Sequence, residues 1–194
     1  MASIIGVETL QHTNGTTAAT ITSGGKLYSA GHVIQMQSNV STAASSISST
    51  SYADIPNMTA TITPTSTSSK ILIQVSFGIL CGSSTGAGCL MKLLRGSTEI
   101  GNGSGAGTHN VFMQNYDGVN NVFHQAGHMF VDSPNSTSAI TYKLQWALTA
   151  SGETWYMNRR GSDNYARTSS TFSTEFGEIP RIVHQNRCKN RRKL

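Results

Sequence analysis

From Ile71 to Leu80 the chain alternates with period two: Ile71, Ile73, Val75, Phe77 and Ile79 point one way, and Leu72, Gln74, Ser76, Gly78 and Leu80 the other. This predicts a half-buried β-strand. A helix is disfavoured because the run is short, β-branched and carries Gly78. The preceding Thr61-Ile-Thr-Pro-Thr-Ser-Thr-Ser-Ser-Lys is also rich in hydroxyls that compete for backbone hydrogen bonds and favour turns. A second alternation repeats the logic, with Ile140, Tyr142, Leu144, Trp146 and Leu148 on one face and Thr141, Lys143, Gln145, Ala147 and Thr149 on the other. Pro64-Thr-Ser-Thr-Ser and Pro134-Asn-Ser-Thr-Ser share Pro-x-Ser-Thr-Ser, and each launches one of these strands. Either the shared turn starts two strands placed centrally in two sheets, or it reflects only a Ser-rich composition.

The remaining pattern is one of short strands and many turns. Gly31-His-Val-Ile-Gln-Met-Gln opens the domain, residues 38–51 read as a Ser- and Ala-rich loop, and residues 52–63 return as extended chain interrupted at Pro56. A hairpin is expected at 82–88, leading into a strand at 89–95, and Arg95-Gly-Ser-Thr reads as a tight turn before Glu99-Ile100. Residues 101–107 form a glycine-rich loop tip. Strands at 111–116 and 119–131 are expected to join at Asp117-Gly118, a hairpin signal, and 154–158 and 168–179 complete about ten strands. That number and spacing predict an all-β fold, an antiparallel two-sheet jelly-roll sandwich over residues 31–179, with an extended N-terminal arm at 1–30 and a basic C-terminal tail at 180–194.

The arm begins with an apolar patch of Ile4, Ile5, Val7 and Leu10, followed from His12 to Gly25 by Thr, Gly and Ala with little to bury. The patch either adds a strand to a neighbouring chain by edge pairing or forms a first strand of its own domain. The tail changes how the net charge of +5 is understood. Residues 1–180 carry eight basic and nine acidic side chains, a balance of −1, whereas Arg181, Arg187, Lys189, Arg191, Arg192 and Lys193 all lie in the last fourteen positions with no acid among them. A basic tail on a nearly neutral body suits an acidic protein surface, an anionic membrane or nucleic acid through charge alone, and no specific nucleic-acid motif accompanies it.

Composition places the chain among globular domains. At 194 residues it is long enough for one core, and six Phe, six Tyr and two Trp supply the burial that a disordered segment lacks, although only 12% of residues are charged. Three cysteines without a Cys-x-x-Cys pair indicate neither a disulfide framework nor a zinc site. Cys81 and Cys89 flank the 82–88 turn and either face each other across it or, the favoured reading, remain buried thiols. No apolar stretch reaches the roughly twenty residues of a membrane span, and Met-Ala-Ser-Ile-Ile-Gly lacks the features of a signal peptide, so synthesis in a cytosol is expected.

Candidate chemistry is sparse. Gly101-x-Gly-x-x-Ala106 matches a dinucleotide fingerprint in spacing, but no amphipathic helix follows to hold a pyrophosphate. His124 and His128, four apart, share a strand face with His109 nearby, yet lack an acidic companion and a His-Glu-x-x-His helix, so polar or core histidines are expected. Gly-x-Ser-x-Gly is absent, and the acids are scattered, Glu175 and Glu178 falling on opposite faces of one strand. A non-enzymatic protein without metal or cofactor is expected. Trp146 reads as core. Trp155 and Tyr156 are adjacent, so one of them faces away from the core, toward a subunit interface or a ligand such as a sugar, to which Tyr52 and Tyr116 are also suited.

Four blocks, Thr61-Ile-Thr-Pro-Thr-Ser-Thr-Ser-Ser-Lys-Ile-Leu, Leu94-Arg-Gly-Ser-Thr-Glu-Ile-Gly, Asp132-Ser-Pro-Asn-Ser-Thr-Ser-Ala-Ile-Thr-Tyr-Lys-Leu-Gln and Tyr156-Met-Asn-Arg, together resemble a β-module of virion structural proteins in marine and cyanobacterial tailed phages. The opening Ile5-Gly-Val-Glu-Thr-Leu-Gln is similar to the start of such fibre and appendage proteins, so the likeness spans residues 4–179. It implies a homotrimeric component on the virion surface, either a tail-fibre-like appendage or a head decoration protein, with other capsid or tail proteins as partners. It carries no catalytic residues. In that setting Ile4, Ile5, Val7, Leu10, Arg187, Lys189, Arg191, Arg192 and Lys193 are the expected anchors, and His109, Tyr116, Asp117, Asn120 and Asn121 the expected outward contacts, with a host-surface glycan as candidate ligand. The tail beyond Ile179 departs from the family pattern, which puts a purely host-facing role in question. A lectin or enzyme acting alone is the third reading.

Overall fold

The computed structural model describes residues 7–13, 15, 17–21, 25, 27–29, 33–83, 86–105, 109–116, 122–161 and 168–177. Every element among them is a β-strand, and none is a helix long and apolar enough to cross a membrane. The chain divides into two compact units, residues 1–32 with 178–194, and Val33–Gly177. In the first, β1 (Thr9–Gln11), β2 (Thr17–Ile21) and β3 (Leu27–Ser29) form a three-stranded antiparallel sheet. The segment expected as an extended arm thus holds a sheet of its own. Gly15 and Gly25 stand between its strands at φ of 82° and 73°, a left-handed backbone that suits glycine, and Thr and Ile suit the pleated strands.

The second unit is a two-sheet antiparallel sandwich. β4 (Val33–Ser41), β14 (Ser170–Gly177), β7 (Lys70–Gly82) and β11 (His124–Asp132), with the short β5 (Ser45–Ile47) and β13 (Trp155–Met157), make a six-stranded sheet. β6 (Ala53–Ile62), β12 (Ile140–Leu148), β8 (Gly88–Arg95) and β10 (Met113–Tyr116), with β9 (Thr98–Ile100), make a five-stranded one. Ile71, Ile73, Val75, Phe77 and Phe172 from the first sheet meet Met58, Ile62, Met91, Tyr142, Leu144 and Trp146 from the second in one continuous core. The pairs are nested: β4 with β14, β6 with β12, β7 with β11 and β8 with β10, as if one long hairpin had been folded over itself.

The two alternating runs lie where their pattern placed them, β7 inside one sheet and β12 inside the other, each paired on both edges. Their launching turns share geometry as well as sequence. Ser66 Oγ accepts from the Ser68 N–H at 3.1 Å, and Ser136 Oγ accepts from the Ser138 N–H at 3.1 Å, so the same hydroxyl closes the same turn.

Other expectations are corrected. The 82–88 turn is not a hairpin: β7 and β8 belong to different sheets, and the connection crosses between them. β10 and β11 likewise belong to opposite sheets, so Asp117-Gly118, which lies outside the described residues, does not join a hairpin ladder. Residues 38–41, assigned by composition to a loop, extend β4, because β14 supplies ladder partners from Thr171↔Val40 to Glu175↔Met36. Pro56 falls in β6 where the register against β12 shifts, beside Asn57 at φ 62°, which is how a strand accommodates a residue that donates no ladder bond.

Leu80 also departs from its expected outward face. The ladder of β11 against β7 runs Ala126↔Phe77 and then His124↔Leu80, so β7 holds an extra residue there and Leu80 turns into the core. The opposite edge of β7 is broken at the same level, where β14 ends and β13 begins. Asn158, at φ 61°, turns the chain at this seam. Its side-chain amide donates to Ser41 O at 2.7 Å and Ala43 O at 3.1 Å, its Oδ1 accepts from Ser170 Oγ at 2.6 Å, and its backbone N–H donates to Ile79 O at 3.0 Å. Gly78 sits beneath the returning chain, where an added Cβ would stand 2.5 Å from Ser169 O.

A second tie joins the sheets near their other end. Asp132, on β11, accepts from Arg95 Nη1 at 3.0 Å on each oxygen and from the Tyr142 hydroxyl at 2.7 Å. Burial first, and then this carboxylate, push the Tyr142 hydroxyl far above its ordinary pKa, so it remains a donor.

Ile71→Asp or Trp146→Asp is expected to leave no cooperatively folded protein, since an unpaired buried carboxylate costs on the order of the whole stability of a domain. Asn158→Ala should cost roughly 2–4 kcal/mol by stranding buried carbonyls, and Gly78→Val about 1–3 kcal/mol by overpacking. Urea denaturation monitored by circular dichroism measures all four, and wild-type midpoints would refute these assignments.

Candidate functional site

The strand directions give the sandwich two distinct ends. Val33, where β4 begins, pairs with Gly177, where β14 ends, so the chain enters and leaves this unit side by side. At the opposite end lie the pairs Tyr116↔Gly88, His124↔Leu80 and Trp155↔Gly82, together with the β7–β8 and β10–β11 connections.

This distal end is aromatic. Tyr116 closes β10 and is 59% exposed, and Val122 and Phe123, just before β11, are also exposed. Trp155 is fully buried, with its indole N–H donating to Ala87 O at 3.0 Å, and the His124 ring stacks on it at 6.0 Å between centroids and 24° between planes. Of the adjacent pair Trp155 and Tyr156, it is therefore Tyr156 that turns away from the core, and the Arg159 guanidinium lies over its ring at 4.5 Å. A stacked cation and exposed rings make a surface suited to flat, partly apolar partners such as sugar faces.

The histidine pair does not assemble into a site. His128 packs edge-on against Phe112 at 4.6 Å while His124 lies on Trp155, and the register shift between His124 and Ala126 separates their surroundings. Among the described residues no three His, Cys, Asp or Glu side chains are grouped to hold a metal ion. Cys81 and Cys89 are buried thiols, and burial raises the Cys89 pKa so far that the reactive thiolate is suppressed.

The other expected site residues divide as follows. His109 is exposed in the β9–β10 connection, at the far end of β10 from Tyr116, so the two are not brought together there. Asp117, Asn120 and Asn121 lie outside the described residues. Of the expected anchors, Val7 and Leu10 are exposed in the first unit, as is Leu27 on β3, a residue the sequence reading did not single out. Ile4, Ile5, Arg187, Lys189, Arg191, Arg192 and Lys193 lie outside the described residues. The stacking of His124 on Trp155 had no signal in spacing, because their proximity follows only from the topology, whereas Arg159 lies three residues from Tyr156 and its contact is local.

Compared with known proteins, the chain matches no family model and no curated protein.

Tyr116→Ala and Tyr156→Ala are expected to leave thermal stability within a few tenths of a kcal/mol of wild type, whereas Trp155→Ala should cost about 3–5 kcal/mol. Differential scanning calorimetry separates the two classes. Equal losses would mean that the distal rings are core and not surface.

Proposed function

We propose that this chain is a non-enzymatic structural protein of a bacteriophage virion, a homotrimeric surface appendage of jelly-roll type made in the host cytoplasm and displayed on the particle. The observation that carries the reading is the side-by-side entry and exit of the chain at Val33↔Gly177, opposite the aromatic distal end. A protein anchored by its terminal segments and presenting its loops outward needs this polarity. The likeness of four sequence blocks to virion modules supports the same assignment.

In this reading the particle-facing segments are residues 1–32 and 178–194. They supply Ile4, Ile5, Val7 and Leu10 as apolar contacts and the cluster from Arg187 to Lys193 for an acidic patch on a neighbouring capsid or tail protein. The distal surface around Tyr116 and Tyr156 faces the host, with a glycan as its ligand class. A head decoration role, in which both terminal segments clamp capsid subunits, is favoured by the exposed apolar side chains of Leu10 and Leu27 on the three-stranded sheet and of Val7 just before it.

Truncation after Ile179 is expected to leave a folded oligomer that no longer enters particles, scored by immunoblotting purified virions from a complemented infection. Incorporation at the wild-type level would overturn the anchoring role of the tail.

A further inference from the structure

The outer faces of the two sheets differ in chemistry. That of the five-stranded sheet is polar and ion-paired: Lys143 bonds Asp54 at 2.9 Å, Lys92 bonds Glu99, and Thr61 bonds Thr141 at 2.7 Å. Hydrogen bonds from Lys143 and Gln145 hold the Asp54 carboxyl below its usual pKa, as a solvated charged surface would.

The outer face of the six-stranded sheet is instead nearly uncharged, with polar and apolar side chains interspersed. Its register aligns three outward rows across β4, β14, β7 and β11, namely Val40–Thr171–Ser76–Gly127, Ser38–Ser173–Gln74–Met129 and Met36–Glu175–Leu72–Val131. Glu175 is the sole charged side chain of these twelve positions. Met36, Val40, Met129 and Val131 are nonetheless 60%, 57%, 63% and 49% exposed.

Ile34 packs against the core, but beyond the register shift beside it β4 is inverted. Gln35, Gln37 and Asn39 share the inward side with Phe172 and Thr174, and Asn39 Nδ2 donates to Thr59 O at 2.6 Å, while Met36 and Val40 face out. An amphipathic strand normally turns its apolar side to the core. β4 is also an edge strand of nine residues with neither a charge nor a proline, the devices that protect free edges from pairing.

We infer that this face is a self-association surface whose occupant is the same face, or the adjoining β4 edge, of a second copy of the chain. Shape supports a like partner. A cleft of about 630 Å³ opens on this face where Gly127 carries no side chain, lined also by Gln74, Ser76, Thr171, Ser173 and the 63% exposed Met129, so a depression and a protruding apolar side chain share one surface. Two copies related by symmetry can each seat that side chain in the depression of the other, which is the condition for a self-complementary contact.

Charge supports it too. The twelve positions offer no cation to a nucleic acid or anionic headgroup, and Glu175, half-buried, is the one charge each copy would bring to the contact. Four strands about 4.8 Å apart and roughly 20 Å of strand length give a projected area of roughly 400 Å². That is about half of the ~800 Å² each partner gives to a standard interface, which leaves a share for the β4 edge.

The inference goes beyond the reading above, since a two-fold contact pairs chains rather than closing a three-fold ring, and it does not need the particle. Light scattering on the purified full chain at roughly 50 μM, where a micromolar complex is mostly associated, should give an oligomer. Met129→Lys and Val40→Lys, on opposite sides of the face, should each give a folded monomer by circular dichroism, whereas Thr141→Lys on the other sheet should remain oligomeric. The exposure of both positions lets lysine be solvated, and two separate strands guard against one variant failing to fold. A monomeric wild type, or an oligomer that both variants retain, would overturn the inference, as would a wild-type monomer that floats with neutral phosphatidylcholine vesicles. A soluble oligomer absent from particles would sink the virion assignment and leave this inference standing; a particle protein that purifies as a monomer would do the reverse.

Discussion

The sandwich depends on satisfying both edges of one long strand. β7 runs for thirteen residues with its inward side chains in the core, and a buried strand must find partners for its backbone groups on either edge. β11 covers one edge from Ile71 to Leu80, while β14 and then β13 share the other. These partners come from the second half of the chain, so pairing them closes long loops before any core is gained. The second sheet is built the same way around β12, which takes β6 on one edge and β8 on the other.

Where β7 was legible, the reason is physical and local. Its alternation encodes which side chains are buried, and so does that of β12, whose Ile140, Tyr142, Leu144, Trp146 and Leu148 are all buried. The Pro-x-Ser-Thr-Ser turns were readable because their hydrogen bonds are made within three residues. What periodicity does not encode is the partner. A strand that alternates correctly can pair with its neighbour in sequence or cross to the opposite sheet. The connections at 83–87 and 117–123 take the second course despite Gly-rich and Asp-Gly sequences typical of hairpins. β4 was half missed for a related reason: its Ser and Asn positions carry little intrinsic strand preference, and the ladder with β14 overrides it.

The candidate site was less legible than the fold. Sequence alone distinguished Trp146 as core and required one of Trp155 and Tyr156 to face outward, but not which one. Tyr116 was marked as an outward contact and is exposed, yet that it closes a strand at the same end of the sandwich as Trp155 follows only from the strand directions. The two outer faces show the same limit. Met36 and Met129 are far apart in sequence, and only the register across β14 and β7 sets them on one surface. Their apolar character does not say which way they face until the direction of each strand is fixed.

The seam at Asn158 has a consequence for how the protein tolerates change. Thr168 N–H donates to Asn158 O at 3.2 Å, so the chain between them leaves the sheet and returns to the same point. Both ends of that excursion are fixed by Asn158, Ser170 and the backbone over Gly78, and none of these bonds depends on how many residues intervene. Closing a loop costs only about 0.6 kcal/mol for each doubling of its length. The number of residues between Asn158 and Thr168 is therefore a weak determinant of stability, and the register of β14 is set at the seam itself.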